Sequence, residues 1–161
     1  MKRRLWWLAA ITLLAACGVQ PAGVSGAGPA PTGISPSETL YFVDIHEHLR
    51  PQPRQTQRLG AISDAVSLLL TGAGDGPLHT EISYAGTTEV MVTTTASLIQ
   101  LSLPLTADDV TALGIDQIVC TALGVYVQGG GSRGTKVQLS FVQPTPESDR
   151  QRTCPLISPA G

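Results

Sequence analysis

Val90-Met91-Val92-Thr93-Thr94-Thr95-Ala96-Ser97-Leu98-Ile99-Gln100-Leu101-Ser102-Leu103 decides the fold class. Val90, Val92 and Thr94 alternate with Met91 and Thr93, the period of two that sends successive side chains to opposite sheet faces. Ala96-Ser97 allows a turn, and Ile99, Leu101 and Leu103 then alternate with Gln100 and Ser102 until Pro104 stops the strand. Two strands this close in sequence predict an antiparallel hairpin.

Outward from the hairpin the period changes. Toward the C-terminus, Ile115, Ile118, Val119 and Ala122 form an i, i+3, i+4, i+7 stripe, so a helix is expected from near 115 with Gly124 ending it. Thr106 with Asp109 gives a weaker capping-box signal, interrupted by Gly114. Val137, Leu139 and Phe141 then alternate with Gln138 and Ser140 as a last strand. Toward the N-terminus, Ser63 can cap a helix through Leu70, with Asp64 in its first turn and Gly72 past its end. Leu40-Tyr41-Phe42-Val43 reads as a short buried strand. The order β-α-β-β-α-β predicts an α+β fold, a two-layer sandwich with two helices on one face of a small mixed sheet, over residues 39–142.

The ends differ in composition from this body. Lys2-Arg3-Arg4 precedes Leu5 to Ala16, where only Thr12 is not apolar. A basic start and a short apolar run are the signature of a secretory signal, expected over residues 1–16; a spanning helix needs about 20 apolar residues. Leu14-Ala15-Ala16-Cys17 resembles the lipobox of bacterial lipoproteins, which implies cleavage before Cys17 and acylation of its thiol. Buried acyl chains contribute about 0.8 kcal/mol per CH₂, enough for stable anchoring when two or three share one cysteine. Residues 17–38 then read as the lipidated N-terminus and a flexible tether, because Gly18 to Ser37 is uncharged and rich in Gly, Pro and Ser. Residues 143–161, with Pro144, Pro146, Pro155 and Pro159, read as an irregular tail. Loss of residues 1–16 takes the net charge from −2 to −5, with seven basic against twelve acidic residues, a balance that argues against nucleic-acid binding.

The body resembles GerMN-domain lipoproteins, the sporulation and spore-germination family, in its small actinobacterial form. The stretches that carry the resemblance are Leu40 to Val43, Leu68 to Gly72, Leu98 to Leu101 and Asp116 to Leu123, with Val137 to Phe141 matching the closing strand. The family pattern implies a building or docking module of extracytoplasmic assemblies and brings no catalytic residues with it. A single copy here, against tandem copies elsewhere, leaves self-assembly open.

Several constellations could carry chemistry. Asp44, His46 and His48 form a D-x-H-x-H set directly after the first strand; if the strand continued, all three would share one face and could hold zinc or copper. No fourth ligand is in view, and a polar strand exit is the simpler account. Gly129-Gly130-Gly131-Ser132-Arg133-Gly134 satisfies both G-x-G-x-x-G and G-x-S-x-G, but each motif needs a strand before it and a helix after it, whereas here a strand follows. Arg50, Arg54 and Arg58 recur every four residues, yet Pro51 and Pro53 oppose a helix, so a solvated connection is expected, with a docking patch for an acidic partner or lipid headgroups as the alternative.

With Cys17 acylated in an oxidising compartment, Cys120 and Cys154 remain. On a helical wheel Cys120 lies about 150° from the centre of the apolar stripe, off the core-facing side. A disulfide between the two would fasten the tail to the second helix, with two free thiols or pairing between molecules as alternatives. Closing a loop of about 35 residues stabilises by roughly 3–4 kcal/mol in the chain-entropy view.

The sequence therefore predicts a lipid-anchored protein on the extracytoplasmic face of the cell membrane, binding an envelope protein partner through its sheet or edge strands. No catalytic set, metal ligand or cofactor is assigned, and the oligomeric state is left open. The alternative is a metal-binding protein or metal-dependent enzyme centred on His46 and His48.

Overall fold

The computed structural model describes residues 37–56, 60–83 and 86–158. The signal segment, Cys17, the tether to residue 36 and Arg58 lie outside these residues. The fold is α+β, with two helices and two sheets of mixed and antiparallel strands. Its first sheet is a hairpin of β1 (Ser37–Val43) and β2 (Leu49–Gln55); the second has the order β3 (Met91–Thr94), β4 (Leu98–Ser102), β5 (Lys136–Ser140) and β6 (Gln151–Arg152). β3 and β4 pair antiparallel, β4 and β5 parallel, and β5 and β6 antiparallel. The hairpin read from Val90 to Leu103 is present, and the parallel β4–β5 pair makes its sheet mixed.

Two strands escaped the sequence reading. Residues 49–55, expected as a solvated connection, form β2 and pair with β1 along its whole length. The first strand therefore stands in a sheet of its own instead of joining a single mixed sheet. The tail expected to be irregular carries a 3-10 turn (Pro146–Asp149), strand β6 and a fully buried Cys154.

Helix α1 (Ile62–Leu70) buries Ala65, Val66, Leu69 and Leu70. It starts one residue before Ser63, with the Asp64 carboxylate accepting the Ala61 N–H at 3.4 Å, and is followed after its C-cap Thr71 by Gly72, whose φ of +96° suits the position past a helix end. Helix α2 (Ala112–Gln128) is longer than its apolar stripe. Thr111 caps it by accepting the Gly114 N–H at 3.1 Å. Gly114 does not interrupt it, because α2 there passes so close to another segment that a Cβ would sit 2.3 Å from the Glu81 carbonyl oxygen.

One core cluster joins both helices and both sheets, including Leu40, Phe42, Leu69, Ile99, Leu101, Ile118, Leu123 and Leu139. Helix α2 touches β1, β2, β5 and α1, so it needs more than one buried side. Every residue from Gly114 to Gly124 except Asp116 is buried. Cys120, expected off the core-facing side, is fully buried on that second side, with Cys154 above it and the two Sγ atoms 2.06 Å apart.

Candidate functional site

Where each sheet ends decides what the surface can bind, since an edge strand presents unpaired N–H and C=O groups. In the hairpin, the Asp44 N–H bonds the His48 carbonyl at 3.0 Å, and antiparallel alternation makes Phe42/Arg50 and Leu40/Gln52 the next bonded pairs. Ser37, Thr39, Tyr41 and Val43 consequently face outward from β1, and Leu49, Pro51, Pro53 and Gln55 from β2.

The outward positions in the middle and at the C-terminal end of β1, and the proline positions of β2, are guarded. The Tyr41 N–H donates to Thr121 Oγ1 at 3.1 Å, and its carbonyl accepts from Gln117 Nε2 at 3.0 Å. Gln117 Oε1 in turn accepts the Glu81 N–H at 2.8 Å, so one buried amide joins the β1 edge to the 79–82 segment. Val43 exchanges two backbone bonds with His79, at 3.0 and 2.9 Å. Pro51 and Pro53 have no N–H to offer an incoming strand. In the larger sheet, β6 is only two residues long, and its chain runs directly into Cys154.

Strand β3 lacks any such device. The Thr95 N–H bonds the Leu98 carbonyl at 2.8 Å, so alternation makes Thr93/Gln100 and Met91/Ser102 the bonded pairs. The backbone groups of Val92 and Thr94 therefore point away from β4, and among the described residues none bonds to them there. From Val90 to Ser97 there is no charge and no proline. Free space flanks the strand. A cleft of about 560 Å³ lies between the start of α1 (Ala61, Ile62, Ser63) and Val90, Met91, Val92 and Thr94. Another of about 380 Å³ is lined by Thr87, Glu89, Met91, Ser102, Leu103, Pro104 and Val142, where Met91 is 67% and Val142 59% exposed. The outer sheet face continues as an uncharged row, Thr93, Gln100, Gln138 and Gln151, with Gln100 Nε2 3.5 Å from Gln138 Oε1.

The residues singled out from sequence fall elsewhere. Asp44, His46 and His48 do not share a strand face, because β1 stops at Val43 and the chain turns through Glu47 at φ +61°. Asp44 shapes that turn: its Oδ1 accepts the His46 and His48 N–H groups at 2.9 and 3.0 Å, and its Oδ2 accepts Arg50 Nε at 2.7 Å. The guanidinium first, then those amides, holds the Asp44 carboxyl well below the usual carboxylate range. The imidazole centroids stand 6.4 Å apart, and no group of three or more His, Cys, Asp or Glu among the described residues is placed to hold a metal ion. His48 instead borders a cleft of about 490 Å³ with Glu47, Arg50, Leu113, Asp116 and Leu156.

The glycine loop closes a helix instead of opening one. The Gly129, Gly130 and Gly131 N–H groups bond the carbonyls of Val125, Val127 and Tyr126, so they are not free to cradle a phosphate. The Ser132 hydroxyl accepts the Gly134 N–H at 3.2 Å in a local turn. Arg54 stacks 5.8 Å from the Phe42 ring centre and donates to the Ala73 carbonyl; together with the Arg50–Asp44 bond this makes Arg50 and Arg54 part of the fold.

The β3 edge itself was half legible. Its alternation and lack of charge are in the sequence, but its exposure depends on which strands lie beside it. Gln117 and Thr121, four residues apart in an apolar helix, were a missed signal of a backbone edge to be bonded. Comparison with family models, curated proteins and solved structures gave no match for this chain, so the likeness to GerMN-domain lipoproteins rests on the stretches quoted above. Among the described residues no helix is long and apolar enough to cross a membrane.

Proposed function

We propose that the chain is a lipid-anchored extracytoplasmic module whose GerMN-like domain docks an envelope protein by taking one of its strands at β3. One observation carries this reading: β3 is left with open outward amides and no blocking side chain, while β1 is capped at Tyr41 and Val43, β2 is interrupted by Pro51 and Pro53, and β6 is minimal. Strand addition draws affinity from main-chain hydrogen bonds and specificity from pockets for alternate side chains, which the two flanking clefts supply. The lipobox-like Leu14 to Cys17 and the uncharged segment behind it support the anchor and its reach, about 25 Å root-mean-square for twenty flexible residues.

A photo-crosslinking residue introduced in intact cells at Thr94, and separately at Arg54 on the blocked hairpin, tests the docking site. Adducts to an envelope protein, whether a different one or a second copy of this chain, from position 94 and not from position 54 are the expected result; equal labelling, or none at 94, removes the edge from consideration. Cys17→Ser tests the anchor, with loss of membrane attachment expected.

A further inference from the structure

We infer that the strand accepted at β3 is β3 of a second copy of this chain, paired antiparallel about a two-fold axis through Thr93. The inference rests on the reading that β3 takes an incoming strand, and it names the strand.

Outward amides sit on Val92 and Thr94, and an antiparallel partner must match outward residues to outward residues. Of the registers that do so about a two-fold axis, only the one centred on Thr93 uses both residues from both copies, Val92 of each facing Thr94 of the other. Met91 then faces Thr95 of the second copy, and Thr93 faces its own equivalent. Glu89 falls opposite Ser97, so no like charges meet, although the chain as a whole is acidic. A two-fold contact requires such a self-complementary patch, and β-branched pairs favour the pairing.

The join also continues what each sheet already has. The row Thr93, Gln100, Gln138 and Gln151 would run on through Thr93 of the second copy into the same row reversed, giving eight uncharged side chains across one sheet. The cleft between α1 and β3 leaves space on the inner side of the edge. Four residues a side make a small contact, suited to a reversible pair that two copies confined to one membrane would favour through their high effective concentration.

Thr93→Cys in the purified full chain tests the pairing under mild thiol oxidation. Facing residues in a non-hydrogen-bonded antiparallel pair have Cα atoms about 4.5 Å apart, within disulfide reach. With Cys120 and Cys154 paired, the new thiol is the one added to the folded body. Covalent dimer should exceed that of Gln151→Cys, on the far edge of the sheet, by about tenfold, the factor given by ~1.4 kcal/mol of association. A second change, Thr94→Lys or Thr94→Pro, should return Thr93→Cys to the level of Gln151→Cys. Equal dimer from Thr93→Cys and Gln151→Cys, or dimer insensitive to both changes at Thr94, overturns the inference. If it fails while position 94 still captures another envelope protein in cells, docking at β3 stands and only the self-pairing falls.

Discussion

Tyr41 and Val92 are both apolar strand residues whose backbone groups face away from the neighbouring strand, yet they meet opposite fates. At Tyr41 both groups are bonded by Thr121 and Gln117, polar side chains carried into the core by α2. At Val92 no helix side chain, proline or charge intervenes among the described residues. Burying Gln117 and Thr121 in an apolar helix costs desolvation that only good hydrogen bonds offset. A chain that spends two buried polar side chains on one edge and leaves another bare separates an edge that must stay internal from one that is available. That contrast is what mutation can break or sharpen.

The largest effect is expected where a closed edge depends on a covalent bond. Replacing Cys120 and Cys154 together by serine frees β6 and the tail behind it, turning the short, fastened edge beyond β5 into a second exposed one. Loss of about 3–4 kcal/mol is expected from the chain-entropy account, read as a lowered urea midpoint against wild type without reductant. Gln117→Leu comes next. It keeps the volume but strands the Tyr41 carbonyl and the Glu81 N–H, and each unpaired buried group costs about 1–3 kcal/mol. Amide exchange should quicken in the β1–β2 hairpin before it does in β3–β5. If Gln117→Leu is as stable as wild type, the β1 edge is not being guarded in the way described.

Those two variants also mark how far the sequence could be read. Alternation alone placed β3, β4 and β5, because strand and solvent face repeat every two residues there. It missed β2, where Pro51 and Pro53 argued against any regular element; the prolines fit because both sit at outward positions of an edge, which only the pairing with β1 defines. The apolar stripe placed α2 but cut it short at both glycines, since a stripe marks one buried side and α2 has more than one. For the D-x-H-x-H set, face-sharing assumed a strand that ends one residue too early, with Asp44 used for the turn. The cysteine pair was legible from counting, although the wheel put Cys120 on a side assumed to be outside.

At β3 itself a smaller thermodynamic effect is expected with a larger functional one. Thr94 is exposed, so Thr94→Lys should shift stability by no more than about 0.5 kcal/mol, as surface changes do. The same change should abolish capture at the edge, because a charge placed on an edge strand is a standard block to strand addition. A matching substitution at Arg54 on the hairpin should do the reverse, lowering stability through the lost Phe42 and Ala73 contacts and leaving capture intact. Stability and capture measured on both variants form a two-by-two test, and any result in which they move together dissolves the distinction between the edges.

The smallest effect concerns pH and the hairpin that carries the guarded edge. Asp44 is held below the usual carboxylate range by Arg50 and the His48 and His46 amides, so it contributes stability that is present above its unfolded value near 3.8 and lost as pH falls through its lower folded value. Glu38, at the other end of β1, is shifted the other way: burial raises its pKa, opposed by the Gly60 N–H and reinforced by Asp64. Its contribution is fully present at low pH and lost as pH rises through its raised folded value. The two carboxyls therefore oppose one another in the pH profile of the wild type, and single variants separate them. Asp44→Asn should be the less stable protein at about pH 6 and converge on wild type toward about pH 2, whereas Glu38→Gln should gain relative to wild type as pH rises. Urea midpoints of the three proteins across that range check the signs. A gap between Asp44→Asn and wild type that widens on acidification would mean the turn at Asp44 is not held by its charge, and the β1–β2 register would need another anchor.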